Sequence, residues 1–347
     1  MLERPYDESA VALSRNQGTT VRVSTLLLAV AVLAGACRGQ GTQAVTSPSP
    51  RLTPSAVAGG GPTCRLPISS SAAGGTAGFI SIPGGAFTVD PTSNPTLPGY
   101  GDSSHVTGYT YDHHRSRWLP TSWRAVAGDG SAYAYWSTAM HVVDIDSGSD
   151  RSLGSPPAWG PKMMEPPSIL ALAPEGVYAQ DANPGLWLIG PGGIQRQVTK
   201  DGYWDAVAGG AAWGRPSSSS PADGSVSSIL RLDLKTGVSD QWFSRAGARS
   251  VVGVDAQLNP IVMATPKTGP GSSDLELWLV TGRDHGTRIF TAPSVVQGLL
   301  VEGLVGPAIG DSHGIWFQVF SSLYLYTEQH GVRRMADARA SLAGGCG

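Results

Sequence analysis

The residues whose types and spacing could do chemistry fall into a few short clusters. Asp144-x-Asp146-x-Gly148-x-Asp150 carries oxygen ligands at alternate positions, as the opening of a calcium loop does. The twelfth position is Ser155, so the bidentate glutamate that completes such a loop is missing. The same acids and glycine suit a hairpin turn, and the turn is the favoured reading. Asp112-His113-His114 offers one oxygen and two nitrogen donors, but it falls at an expected hairpin tip, where solvated surface is the expectation. Gly101-Asp102-Ser103 and Gly310-Asp311-Ser312-His313 could each present a serine nucleophile. The second falls on an expected inner turn, which wants Gly and Asp for its backbone angles. No His-Glu-x-x-His, Cys-x-x-Cys, phosphate loop or Gly-x-Ser-x-Gly elbow occurs. The expectation is therefore no catalytic residue, no metal site and no cofactor.

The bulk composition sets the class. Gly 46 and Pro 26 are abundant in a 347-residue chain, and charged residues make up only 14%. Gly and Pro are the worst residues for a helix interior, so many short strands joined by turns are expected. A hydrophobic content of 41% supports a real core. Net charge is −2 and no basic patch stands out, so a nucleic-acid partner is not expected.

Residues 1–37 read as an export segment. Arg22 precedes an apolar run from Leu26 to Ala36, followed at once by Cys37. The run would span roughly 16 Å as a helix, about half of a ~30 Å bilayer core, which fits a signal peptide rather than a crossing. Small residues leading into a cysteine resemble the lipobox of bacterial lipoproteins, with Ala34 where leucine is usual and Leu33 one place earlier. That resemblance implies lipidation of Cys37 and an extracytoplasmic, membrane-anchored protein. The segment before Arg22 carries Glu3, Asp7 and Glu8, so a later start at Val21 or Val23 would give a more ordinary signal peptide. Residues 38–63, rich in Gly, Ser and Pro, read as a flexible linker.

With Cys37 lipidated, Cys64 and Cys346 remain. In an exported protein this pair suggests a disulfide that staples the start of the 64–347 domain to its end. Such a staple suits a ring, whose first and last units must meet.

A loose unit recurs along that domain. Its clearest copy runs Arg124-Ala-Val-Ala, Gly128-Asp-Gly, Ala132-Tyr-Ala-Tyr-Trp136, Met140-His-Val-Val-Asp144 and Asp150-Arg-Ser-Leu. The next runs Ile169-Leu-Ala-Leu, Pro174-Glu-Gly, Val177-Tyr-Ala, Leu186-Trp-Leu-Ile189 and Gln195-Arg-Gln-Val-Thr199. Weaker copies begin near Phe79, Trp204, Ser250 and Leu304. The inner-turn glycines Gly85, Gly130 and Gly176 recur roughly every 45 residues, a four-strand propeller period. The two best copies resemble the TolB-like, WD-related propeller repeat, through Gly128-Asp129-Gly130, His141-Val142-Val143-Asp144 and Arg151-Ser152-Leu153. Pro174-Glu175-Gly176, Leu186-Trp187-Leu188-Ile189 and Arg196-Gln197-Val198-Thr199 match in the second copy. The expected fold is all-β, a six-bladed β-propeller of four-stranded blades, with Trp136, Trp187, Trp278 and Trp316 packed between blades.

Long second-to-third-strand loops (90–106, 215–228, 265–274) and blade-to-blade loops (154–168, 292–302) crowd one face. Tyr100, Asp102, His105, Trp159, Lys162 and Trp204 are the expected exposed contacts there. The favoured function is a monomeric, anchored binding or scaffold lipoprotein with a protein, peptide or glycan partner at that face. The alternative is an extracytoplasmic propeller enzyme, a metal-assisted hydrolase or cyclase. It would draw on Asp205, Asp255 and Asp311 at the channel mouth.

Overall fold

The structure is a computed structural model of the chain. It describes residues 62–69, 76–93, 97–98, 109–156, 159, 166–218, 226–269, 272–296, 305–338 and 340–347. All of these belong to one compact unit, Ser55–Gly347. Cys37, the expected signal segment, nearly all of the expected linker, and Tyr100, Asp102, His105 and Lys162 lie outside the described residues.

The fold is all-β. Apart from a 3₁₀ turn at Trp123–Ala125, every described element is a strand. In chain order, β1 (Cys64–Ser69), β2 (Ala77–Ile82) and β3 (Phe87–Val89) form an antiparallel sheet, and β4 (Thr110–Asp112) pairs with β5 (Arg117–Leu119) as a hairpin. Then come β6 (Ala132–Trp136), β7 (Met140–Asp144) and β8 (Asp150–Gly154). The next sheet holds β9 (Ser168–Ala173), β10 (Gly176–Gln180), β11 (Leu186–Ile189) and β12 (Gln195–Thr199). Another holds β13 (Tyr203–Ala208), β14 (Ala211–Arg215), β15 (Val226–Asp233) and β16 (Ser239–Ala246). β17 (Ala248–Val254), β18 (Pro260–Ala264), β19 (Lys267–Gly269), β20 (Ser272–Gly282) and β21 (His285–Val296) follow. Last are β22 (Ala308–Asp311), β23 (Gly314–Val319), β24 (Ser322–Thr327), β25 (Gly331–Asp337) and β26 (Ser341–Leu342).

Burial falls across each sheet in step with the sequence. The second strands β10 and β18 are buried at every residue, and both are near-continuous apolar runs. A strand covered on both faces needs such a run rather than alternation. The outermost strands β8, β12 and β25 are polar and mostly exposed or half-buried.

The core is divided into clusters that join successive sheets. One joins β6–β8 to β9–β11. The next joins that sheet to β13–β15, another carries on to β17–β20, and another continues to β22 and β23. A further cluster unites Trp316, Leu323 and Leu325 with Leu66, Ile68, Ile80 and Leu342, which returns the chain to its first sheet. Trp118 and Leu119 of the β4–β5 hairpin bridge the first sheet to β6–β8. The packing order is thus cyclic.

Two expectations about the units need correction. The copies built on Ser250 and Leu304 share one sheet, because β17 and β22 pair in parallel through Gly253–Ala308 and Val254–Ile309. A Cβ on Gly253 would stand 1.8 Å from the Ala308 carbonyl oxygen, so this close approach requires glycine. The copy expected near Phe79 also departs from the pattern. The next strand along, β4, pairs with β5 and not with β2 or β3, while β1 and β26 complete the first sheet. That sheet is built from both ends of the 64–347 domain.

The ends are held firmly. Cys64 and Cys346 form a disulfide with Cα atoms 5.7 Å apart, closing a sequence separation of 282. Ile68 and Ser69 pair with Leu342 and Ser341. The Ala343 amide donates to the Pro67 carbonyl at 3.0 Å and the Tyr111 amide to the Ala343 carbonyl at 2.8 Å. Asp311 Oδ2 accepts the Cys346 amide at 2.7 Å and the Trp316 indole N–H at 2.8 Å. The Gly310-Asp311-Ser312-His313 block is therefore a turn that grips the chain's end.

Candidate functional site

A cavity of about 440 Å³ opens where the first strands of the sheets converge. Segments 122–124, 166–170, 251–252, 305–307 and 341–342 line it. They come from five places far apart in sequence, and the cyclic packing brings them together. The 3₁₀ turn packs on β9, β9 on β13, β13 on β17, and β17 pairs with β22.

The walls are mainly apolar: Ile169, Leu170, Val251, Val252, Val305, Leu342 and three prolines. Hydroxyls come from Ser122, Ser168 and Ser341, and an aromatic ring from Trp123. Arg124 is the one ionisable side chain in the lining among the described residues. Its guanidinium lies 5.3 Å from the Trp123 ring centroid, and one terminal nitrogen donates to the Val251 carbonyl at 3.4 Å. Its Nε is enclosed and has no hydrogen-bond partner. Burial pushes its pKa down, and the carboxylate of Asp205 acts through space in the opposite direction. Asp205 Oδ2 accepts the Val251 amide at 3.0 Å, so β13 and β17 are tied together just behind the arginine.

Of the six expected contact residues, two are described, and both are core rather than exposed. Trp159 is 5% exposed and wedged edge-on between Trp136 and Trp187. Trp204 is 4% exposed, donating its indole N–H to the Asp201 carbonyl and its amide to Gln180 Oε1. A large apolar ring fills the gap between sheets, and that demand outweighs the place of Trp159 in a blade-to-blade segment, while Trp204 is buried within β13 itself.

The clusters singled out for metal or nucleophile chemistry are separated by their partners. Asp144 Oδ1 accepts the Ser147 amide and hydroxyl, Asp146 takes a bidentate bond from Arg115, and Asp150 binds the Tyr135 hydroxyl and His141. Asp112 is buried, with Oδ1 accepting the His114 amide, and His113 Nε2 bonds the Gly345 carbonyl at 2.8 Å. That tip keeps both histidines exposed, as expected of it, while Asp112 is buried and His113 holds the Gly345 carbonyl. Asp255 accepts the Gln257 and Asn259 amides, a turn function like that of Asp311.

Arg124 and Trp123 were missed as site residues. The signal was present: an arginine opens the first strand of the clearest copy, where the next copy opens on Ile169.

No family model matches the chain, and no curated protein matches it in sequence. Among solved structures it is similar to a chain in the crystal structure of a nidogen/laminin complex, at 6% identity over 82% of this chain and 100% of that one, with a TM-score of 0.43. TolB from Acinetobacter baumannii is similar at 13% identity over 79% of this chain and 67% of that one, TM-score 0.38. A putative 6-phosphogluconolactonase from Bacteroides uniformis is similar at 12% identity over 82% and 98%, TM-score 0.42. Likeness at these levels assigns no activity to this chain.

Proposed function

We propose that the chain is a membrane-anchored lipoprotein whose 64–347 domain is a six-bladed β-propeller that binds a ligand at its axial mouth. Five units run in sequence from the 3₁₀ turn to β25. The sixth is the composite sheet of β1–β3 and β26, with the β4–β5 hairpin beside it. The cyclic order of the core clusters and the strand returned by the C-terminus support this reading. The observation that carries the binding role is the cavity, whose size and mostly apolar lining with a few convergent polar groups suit a small-molecule or side-chain-sized ligand. Catalysis at this mouth is not favoured, since its lining offers no carboxylate, histidine or thiol among the described residues. The anchor is proposed from Cys37, and export of a Cys37→Ser variant in unlipidated form tests that part by mass spectrometry.

The binding role is tested by calorimetric screening of the full chain against oligosaccharides, short peptides and organic acids. Ser168→Trp is run in parallel. Ser168 is an exposed cavity-lining position at the start of β9, so an indole there should obstruct the mouth without entering the core. The account expects a binder that Ser168→Trp loses while its melting temperature stays unchanged. A binder retained by that variant, or none from the screen, counts against the reading.

A further inference from the structure

We infer that the mouth selects a ligand with one carboxylate on an apolar body, and that Arg124 is the group that reads the charge. The inference rests on the binding role just proposed and adds the chemical class of the ligand. A guanidinium has five N–H donors and no acceptor. Here one of the terminal nitrogens makes a single long bond at 3.4 Å, and the enclosed Nε makes none. The Nε is enclosed, so the donors left for a ligand in the cavity are those of the two terminal nitrogens, whose one bond is the long one to the Val251 carbonyl. The fork geometry of arginine matches a planar carboxylate with two parallel bonds. Behind it, Asp205 is held by the Val251 amide, which fixes the strand that positions the guanidinium.

The rest of the cavity limits what the carboxylate can be attached to. Val251, Val252, Ile169 and Leu170 offer no hydrogen bonds, so a heavily hydroxylated or multiply charged ligand would lose solvation it could not recover. Ser122 makes no side-chain cap bond to the 3₁₀ turn, and it lines the cavity beside Arg124 in sequence.

The test uses phenylacetate and its neutral counterpart phenylacetamide, titrated calorimetrically into the full chain, Arg124→Gln and Ser168→Trp. The expected result is that the intact protein binds the acid roughly tenfold or more tightly than the amide, a charge-assisted bond's worth of preference. Arg124→Gln should bring the two to equal affinity. Added salt should weaken the acid alone, a measurement that needs no variant. Equal binding of acid and amide by the intact protein overturns the inference, as does acid binding that is unchanged in Arg124→Gln or absent altogether. If both probes bind equally and Ser168→Trp loses both, the charge assignment fails while the cavity reading stands. Acid binding that survives Ser168→Trp instead removes the site from the cavity.

Discussion

At the residue scale, the aromatic rings divide between packing and recognition in a way their loop positions do not announce. Trp159→Ala and Trp204→Ala should each cost about 3–5 kcal/mol in chemical denaturation, the penalty for emptying a buried tryptophan site. An unchanged denaturation midpoint would return them to the ligand surface.

Charged residues show the same division. Hydrogen bonds from the Ser147 amide and hydroxyl hold the Asp144 carboxyl below the usual range, and those from Thr236 do the same for Asp233. A lowered folded pKa gives stability that is present above the ordinary carboxylate value, about 4, and lost as pH falls through the lower folded value. Burial raises the Tyr135 and Tyr178 phenols, followed by their bonds to Asp150 and Glu175. That contribution is full below about pH 10 and lost as pH rises through the raised folded value. Thermal melts should therefore show a plateau from about pH 4 to about pH 10. The Asp144→Asn/Asp233→Asn double variant should flatten the acid limb, and an acid limb of unchanged steepness would contradict the assignment.

At the element scale, two hairpins repeat one device. Asp144 and Asp233 each bond the Ser or Thr three residues on, and Gly148 and Gly237 follow at φ 68° and 71°. In both turns the glycine amide returns to the aspartate carbonyl, at 2.9 and 2.8 Å. This Asp-x-x-Ser/Thr-Gly pattern makes the copy near Trp204 as regular as the clearest one. It was legible in the sequence but hidden by its unlike strands. The parallel β17–β22 pairing was not legible, because nothing in a single strand's pattern says that two first strands will touch. Gly237 has open space around it, so Gly237→Ala tests backbone conformation alone and should cost about 1 kcal/mol. Gly253→Ala drives a Cβ into backbone and should cost more, roughly 1–3 kcal/mol beyond that. Equal midpoints for the two variants in urea would refute the close approach.

At the scale of the whole molecule, the cysteine spacing and the roughly 45-residue period made the class and the closure legible. The composite first sheet was not, because β26 reads as two unremarkable residues until the disulfide partner is placed beside β1. The mouth was anticipated as a face but not as residues. Its walls come from five segments whose meeting is a property of the ring. Replacing Cys64 and Cys346 by serine should lower stability by up to ~5 kcal/mol on the chain-entropy model, with the strand pairing of residues 341–343 retaining part of the closure. A denaturation curve identical to that of the oxidised protein would show that the staple contributes nothing.

Hydrogen–deuterium exchange of the full chain with and without phenylacetate tests the central claim most directly. The account predicts slowed exchange at segments 122–124, 166–170, 251–252, 305–307 and 341–342 together, and little change at the outer strands β8, β12 and β25. Protection confined to one of those segments, or found on the outer strands instead, would contradict a ring that gathers them into one binding mouth.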